Sequence, residues 1–305
     1  MEKDTKKKIY RFLAVVCAIV VVISVGLAVK YFIDKANSMQ EAKTYEELAE
    51  SVNAVSSEYA DSDQETDEDS DADEDEKSDE DADADADAEA EKTVTDPNAV
   101  LADRGIEIPA KNLNFEELKA VNSDIYAWIY VPGTAIDYPL LQSADDNEYY
   151  LMHNLDGSEG YPGCIFTQNY SSKDFSSGNT LVYGHNMKDG SMFATLFYYK
   201  DKSFFDENRF IYVYTEDFTY VYEIFGAYYF DDSNLSLAYD YSTSDAILGY
   251  LNMVLSQRDM SNNFLSDFTP DGNSHIITLS TCVDAISDGQ RYLVAGVLVN
   301  DRYRE

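Results

Sequence analysis

The sequence predicts a mainly β domain, a closed or nearly closed barrel of about eight strands, preceded by one membrane-spanning helix and a disordered acidic linker. Three observations carry this expectation. Between residues 127 and 299, short runs rich in tyrosine and β-branched residues recur, separated by turn residues. Few helical signatures interrupt them. The net charge of −36 is also spread unevenly, so that it isolates the β-rich part from an apolar N-terminal segment.

The apolar segment spans residues 9–33, IYRFLAVVCAIVVVISVGLAVKYFI, and Phe12 to Val29 runs for eighteen residues without a charge. That is the lower limit for a spanning helix, and Tyr31, Phe32 and Ile33 extend it. Lys3, Lys6, Lys7, Lys8 and Arg11 precede or open it, so the positive-inside bias makes residues 1–8 a cytoplasmic tail and sends the rest across the membrane. A cleaved signal peptide is the competing reading, but it calls for a shorter apolar core and a small-residue cleavage site, which is not evident here.

Residues 34–97 read as an extracytoplasmic linker. Glu58 to Glu91 holds twenty Asp or Glu and one Lys, a net charge of −19. Such a block buries no apolar surface and repels itself, which predicts disorder at 58–91. From Thr44 to Pro97 the expectation is a flexible coil. The alternating Asp-Ala run from Asp81 to Ala88 lacks the glycine and the terminal glutamate of a calcium-binding loop.

Residues 98–305 are enough for one sizeable core. This part carries thirty acids against twelve Lys or Arg, which argues against a nucleic-acid partner. Asn114 with Glu117 forms a capping box, stapled by Leu113 and Leu118, so a helix starts at Phe115. Strands are expected at 127–131 and 136–141, the second demoted to an edge or bulge by Pro139. Asp145 with Glu148 gives a second box before Tyr149. Further strands follow at 163–167, 179–184, 210–215 and 219–230, the last two joined by a short loop at Glu216-Asp217-Phe218. Ile247, Tyr250, Leu251, Val254 and Leu255 recur at helical spacing within 243–257. Strands at 275–280 and 292–299 complete the barrel.

Three cysteines and three histidines offer the chemistry. Cys17 lies in the apolar span. Cys164 follows Gly163 in a strand-like run and reads as a buried apolar thiol. Cys282 ends the strand of TLSTC, flanked by hydroxyls and Asp284, at a strand-end position where a side chain can emerge into a cleft, although by itself a strand-end Cys is structural more often than not. His275 opens a strand and reads as a strand-edge residue. His153 follows a short helix and reads as exposed. His185 follows an apolar strand through Gly184 and enters a polar loop, where loop packing explains it as well as chemistry does; Arg291 opens the last strand, and taken singly it reads first as a solvated strand-start cation. Together, a thiolate, an imidazolium and a guanidinium are what cutting an acyl bond through a thioester needs. No metal-ligand spacing accompanies them, and no cofactor is called for.

TLSTC at 278–282, Arg291 at a strand start and NTLVYGHNMKDGSMF at 179–193 resemble the signatures of sortases, membrane-anchored cysteine transpeptidases of Gram-positive bacteria. WIYVPGTAIDYPLLQ at 128–142, DNEYYL at 146–151 and the run from Phe204 to Phe230 extend the resemblance over 112–300. The helices at Phe115 and 243–257 resemble the N-terminal helical extension and inserted helix of class B. Asp96-Pro97-Asn98 lacks the aromatic of a class C lid, and the Ser-His-Gly-Cys arrangement of L,D-transpeptidases is absent.

The resemblance implies a sortase-type barrel in which Cys282 is the nucleophile, His185 the acid and Arg291 the oxyanion holder. Asn147, Leu151, Ser280 and Thr281 are the implied substrate-binding positions. It further implies partners: surface proteins with a C-terminal sorting signal of the Asn-Pro-x-Thr-Asn kind, and an amine of peptidoglycan or its lipid-linked precursor as acceptor. The catalytic domain is then extracytoplasmic, facing the cell wall. Two alternatives remain at this point: a thiol hydrolase of the same fold, and a non-catalytic surface-binding domain. The acidic linker departs from the family pattern, and the resemblance assigns it no role.

Overall fold

The computed structural model describes residues 2–54, 96–257, 261–283 and 289–303. The acidic run at 58–91 and Asp284 lie outside the described residues. In chain order the helices are α1 (Glu2–Ala54), α2 (Ala99–Asp103), α3 (Phe115–Val121), α4 (Lys202–Glu207), α5 (Leu235–Ala238) and α6 (Ser244–Ser256). The strands are β1 (Ile125–Tyr130), β2 (Asp137–Leu141), β3 (Ile165–Thr167), β4 (Asn179–Tyr183), β5 (Phe210–Tyr214), β6 (Thr219–Asp231), β7 (Asn263–Phe264), β8 (Ile276–Cys282) and β9 (Gln290–Leu298).

Eight strands close a barrel in the order β5-β1-β2-β3-β4-β8-β9-β6, with β6 pairing back to β5 and β7 added to β6. Closure leaves the eight with no free edge, which removes the edge-strand hazard. Two joins are parallel, β2 with β3 and β4 with β8, and the other barrel joins are antiparallel. The parallel join of β4 and β8 matters most, because it sets two strand ends side by side where the chemistry sits.

The interior is filled by aromatic side chains, among them Trp128, Tyr199, Phe205, Tyr222 and Tyr292, all essentially inaccessible. A second, smaller core forms where α6 covers the outside of β4, β6, β8 and β9, built on Leu181, Phe225, Ile247, Leu251, Val254, Ile276 and Leu293. This explains a feature of the sequence. Strands covered on both faces read as continuous apolar runs, and β8 is buried at six of its seven positions. Burying each large aliphatic side chain contributes about 1.5–3 kcal/mol, so α6 is part of the fold rather than an ornament. Its start is fixed by Thr243, whose hydroxyl accepts from Ala246 N at 3.2 Å.

The α3 start is also as expected, with Asn114 Oδ1 accepting from Glu116 N and Glu117 N. Other expectations need correction. β2 is an internal strand, not an edge, but its ladder with β1 does shift register between Ile125 and Ala127, opposite Leu141 and Leu140; its pairing with β3 begins only at Leu140, so Pro139 lies where β2 is paired on the β1 side alone. The turn before Tyr149 is built by Asp146, whose Oδ1 accepts from Glu148 N at 2.9 Å, and not by Asp145. Only a 3-10 turn, Tyr149–Leu151, follows it. β7 carries no expected signature, being two residues long.

The largest correction is at the N-terminus. The flexible coil expected from Thr44 is helical as far as Ala54, because Ala, Leu and Glu favour a helix and Lys43 pairs with Glu47 at 3.0 Å one turn on. The helix is long and apolar enough from Val15 to cross a membrane. Leu13, Val22, Leu27, Phe32 and Ile33 are exposed on it, whereas Tyr45, further along, is buried against the barrel at 3% exposure.

Candidate active site

Cys282 is the last residue of β8 and Arg291 the second of β9, and the antiparallel register sets them directly opposite each other. Cross-strand neighbours of this kind hold their Cβ atoms about 4.5–5.5 Å apart. Arg291 Nη1 spans the gap and donates to Cys282 Sγ at 2.8 Å. A guanidinium in that position is already aimed at the space where an oxyanion would form.

His185 arrives from the other neighbour of β8. The β4–β8 ladder ends at Tyr183 opposite Ser280, and Gly184 N continues it by donating to Ser280 O at 3.3 Å. His185 therefore leaves the sheet beside the end of β8. Gly184 is required there, because a Cβ would lie 2.5 Å from Ile165 Cδ1 and 2.8 Å from the Phe193 ring. The loop after His185 folds back, with Phe193 N donating to His185 O at 2.9 Å.

The imidazole is fixed at a single nitrogen. Its Nε2 lies 2.7 Å from Leu151 O, and since a carbonyl only accepts, Nε2 carries hydrogen. Nδ1 is left for proton transfer. The Tyr161 ring lies 5.0 Å from the imidazole. Burial lowers the His185 pKa from its ordinary value; the Leu151 carbonyl opposes this, and the nearby Arg291 charge adds to the lowering. Asn186, which sequence reading missed, donates from Nδ2 to Cys282 O at 3.1 Å and Val283 O at 3.0 Å, tying the end of β8 to the His185 loop.

A cleft opens on this corner. Asn147, Leu151, Ser280 and Arg291 line it together with Tyr183, Gln168 and the β6–α5 turn. The Asn147 side chain accepts from Asn169 N at 2.5 Å, which fixes its orientation on the rim. Three of the four expected substrate-binding positions thus face one groove. Thr281 does not. It is fully buried on the opposite face of β8, and its hydroxyl donates to Gly184 O at 2.8 Å, so its part is to hold the two strand ends together.

The remaining candidates lie apart from the groove. Cys164 is buried, as expected, but it is hydrogen-bonded and not merely apolar: Tyr45 Oη reaches its Sγ at 3.2 Å, and the thiol lies 3.4 Å from His153 O. Burial pushes its pKa up to about 12, which makes it a poor nucleophile. His153 is half-buried, not exposed, because its ring stacks on Tyr149 at 3.9 Å. His275 sits at the start of β8 and pairs with Asp301 at 2.9 Å. Among the described residues, no group of three or more His, Cys, Asp or Glu is placed to hold a metal ion.

Comparison with known proteins agrees with this geometry. The sequence model of the Sortase domain matches residues 129–299. Sortase B of Listeria monocytogenes is 37% identical over 186 residues, covering 60% of this chain and 73% of that protein. Sortase B of Staphylococcus aureus is 29% identical over 180 residues, covering 59% and 72%. The crystal structure of Clostridium perfringens sortase B superposes with a TM-score of 0.55 at 29% identity, covering 61% of this chain and all of that one. The family match takes in more than half of the sequence, and the relatives and neighbours agree on the class, so this chain belongs to the sortase family as a class B cysteine transpeptidase.

Proposed function

We propose that this transpeptidase cleaves a C-terminal sorting signal of the Asn-Pro-x-Thr-Asn kind in surface proteins and joins the Thr carbonyl to an amine of peptidoglycan or its lipid-linked precursor. The observation that carries the reading is the 2.8 Å contact from Arg291 Nη1 to Cys282 Sγ, which pairs nucleophile and oxyanion holder across one ladder rung. His185 Nδ1 takes the Cys282 proton, and the sulfur attacks the Thr carbonyl. Arg291 stabilises the charge that develops on the carbonyl oxygen. As the tetrahedral intermediate collapses, the proton passes from His185 to the departing amine and a thioester remains. The acceptor amine then attacks the thioester, gives up a proton through His185 and restores the thiol.

The groove lined by Asn147, Leu151 and Ser280 is the proposed seat of the peptide. The apolar stretch of α1 is the proposed membrane anchor; the Lys and Arg before it support a cytoplasmic N-terminus and a catalytic domain facing the wall. Residues 34–97 remain the proposed linker, now with a helical first part. The test is to incubate the chain with sorting peptides and an added amine and to read the products by mass. Cleavage after Thr with the amine joined to the N-terminal fragment is expected. Release of the free acid alone, at a rate indifferent to amine, would identify a hydrolase instead.

A further inference from the structure

We infer that Tyr45, beyond the apolar stretch of α1, is a positioning residue for the reaction: docked over Cys164, it holds the segment whose Leu151 carbonyl seats His185. Tyr45 lies twelve residues past Ile33, about 18 Å further along the helix. Its ring stands edge-on to Tyr138, with centroids 5.5 Å apart, and Leu48 and Ala49 pack partly buried against the same core. The hydroxyl donates to Gly163 O at 3.0 Å and reaches Cys164 Sγ at 3.2 Å. A buried phenol needs such partners, and so does the carbonyl that receives it.

The segment under Tyr45 is joined directly to the seat of the imidazole. Cys164 N donates to Tyr150 O at 3.0 Å, and Gly163 N donates to Asn154 Oδ1 at 2.9 Å. Gly163 adopts φ +67°, and a Cβ on it would lie 2.6 Å from Tyr150 O and 2.9 Å from Leu151 O, so the two backbones touch with no side chain between them. Leu151 O is the acceptor of His185 Nε2, and Tyr161, two residues before Gly163, carries the ring beside the imidazole. From Tyr45 to His185 the path is therefore one hydrogen bond, one backbone contact and one further hydrogen bond. Cys282 and Arg291 share no bond with it.

The inference rests on His185 as the proton carrier proposed above, and the experiment separates the two claims. The full chain in detergent micelles is compared with Tyr45→Phe and Tyr45→Ala in two measurements. The first is alkylation by iodoacetamide, resolved by mass at Cys164 and Cys282. The second is steady-state transfer from a sorting peptide to an added amine. Cys164 is expected to resist labelling in wild type and to react about tenfold faster or more in Tyr45→Ala, as the cover opens. Cys282 labelling should be unchanged in all three. Losing the hydroxyl in Tyr45→Phe should lower kcat about fivefold, the effect of one hydrogen bond, with KM nearly constant and the His185 limb of the pH profile moved upward as water reaches the ring. Tyr45→Ala should lower kcat further.

Rapid labelling of Cys164 in wild type would overturn the docking. Wild-type kcat in both variants would overturn the positioning, and so would a rise in KM with accelerated Cys282 labelling, which marks general loosening. A wild-type chain that cuts no sorting peptide would sink the proposed reaction, and the positioning role with it, while the Cys164 labelling still decides the docking.

Discussion

The two walls of the site, on either side of the end of β8, are built by different means. The Cys282–Arg291 wall is a rung of a regular antiparallel ladder, continuous with seven paired positions of β8 and β9. His185 lies two residues beyond the end of β4 and is held by Gly184, one carbonyl and one aromatic ring. Backbone pairing fixes the proposed nucleophile and oxyanion holder directly opposite each other. The acid is held by contacts from residues over 20 positions away in sequence, so its placement depends on other parts of the chain. Substitutions on the ladder should remove chemistry outright, and substitutions on the loop should detune it.

The largest effect should come from Cys282→Ala. Without the sulfur no thioester forms, and mass measurement of the chain with sorting peptide should find no acyl-enzyme and no turnover. Residual turnover near the wild-type rate would remove the mechanism. Next comes Arg291→Lys, where a positive charge is kept but the planar fork is lost. Single-turnover acylation should fall about a hundredfold to a thousandfold, with peptide binding changed much less, because the charge it meets exists only in the transition state and intermediate. A near-normal rate would reduce Arg291 to a point charge.

Gly184→Ala tests the other wall without touching a reacting group. The added methyl meets Ile165 and Phe193 at 2.5 and 2.8 Å, and overpacking of this kind costs about 1–3 kcal/mol. Because the strain falls on the residue before His185, acylation should drop about tenfold or more, while alkylation of Cys282 stays near the wild-type rate. An equal fall in both would mean that the two walls move as one. Asn186→Ala lies between them. It removes the two bonds to the end of β8, at about 0.5–1.5 kcal/mol each, and should lower the melting temperature with a smaller loss of rate than Gly184→Ala.

The same contrast decides what the sequence revealed. Strands β4, β6, β8 and β9 were legible because coverage by α6 makes them apolar on both faces, and α3 and α6 because Asn114 and Thr243 cap them. Cys282 and Arg291 stood out because each bounds an apolar run. The seat of His185 was not legible. Its acceptor is a backbone carbonyl 34 residues away, and no side-chain type announces that. Thr281 was misplaced by the alternation of a strand: Ser280 lines the groove and Cys282 lies on the same face of β8, so Thr281 between them faces inward. Tyr45 was hidden among Glu41, Lys43, Glu46 and Glu47, whose charges mark a solvated stretch and conceal the single face that docks.

The smallest effect, and the one most specific to the loop wall, is in the pH dependence of stability. Burial lowers the His185 pKa in the folded chain below its ordinary value of about 6.5. Between the lowered value and the unfolded one, the unfolded chain therefore binds more protons than the folded chain at this site, and stability rises with pH across that window. Read downward, stability is fully present above about pH 6.5 and is lost as pH falls toward the folded value, below which no further loss comes from this residue. His185→Gln, which cannot titrate, should flatten that part of a denaturant-midpoint profile between pH 7 and 5. Arg291→Gln should leave the slope but shrink it, since the guanidinium is a lesser cause of the shift than burial. If the profile of His185→Gln overlays wild type, the imidazole is as free in the folded chain as in the unfolded one, and the enclosed wall drawn by Leu151 and Tyr161 is open in solution.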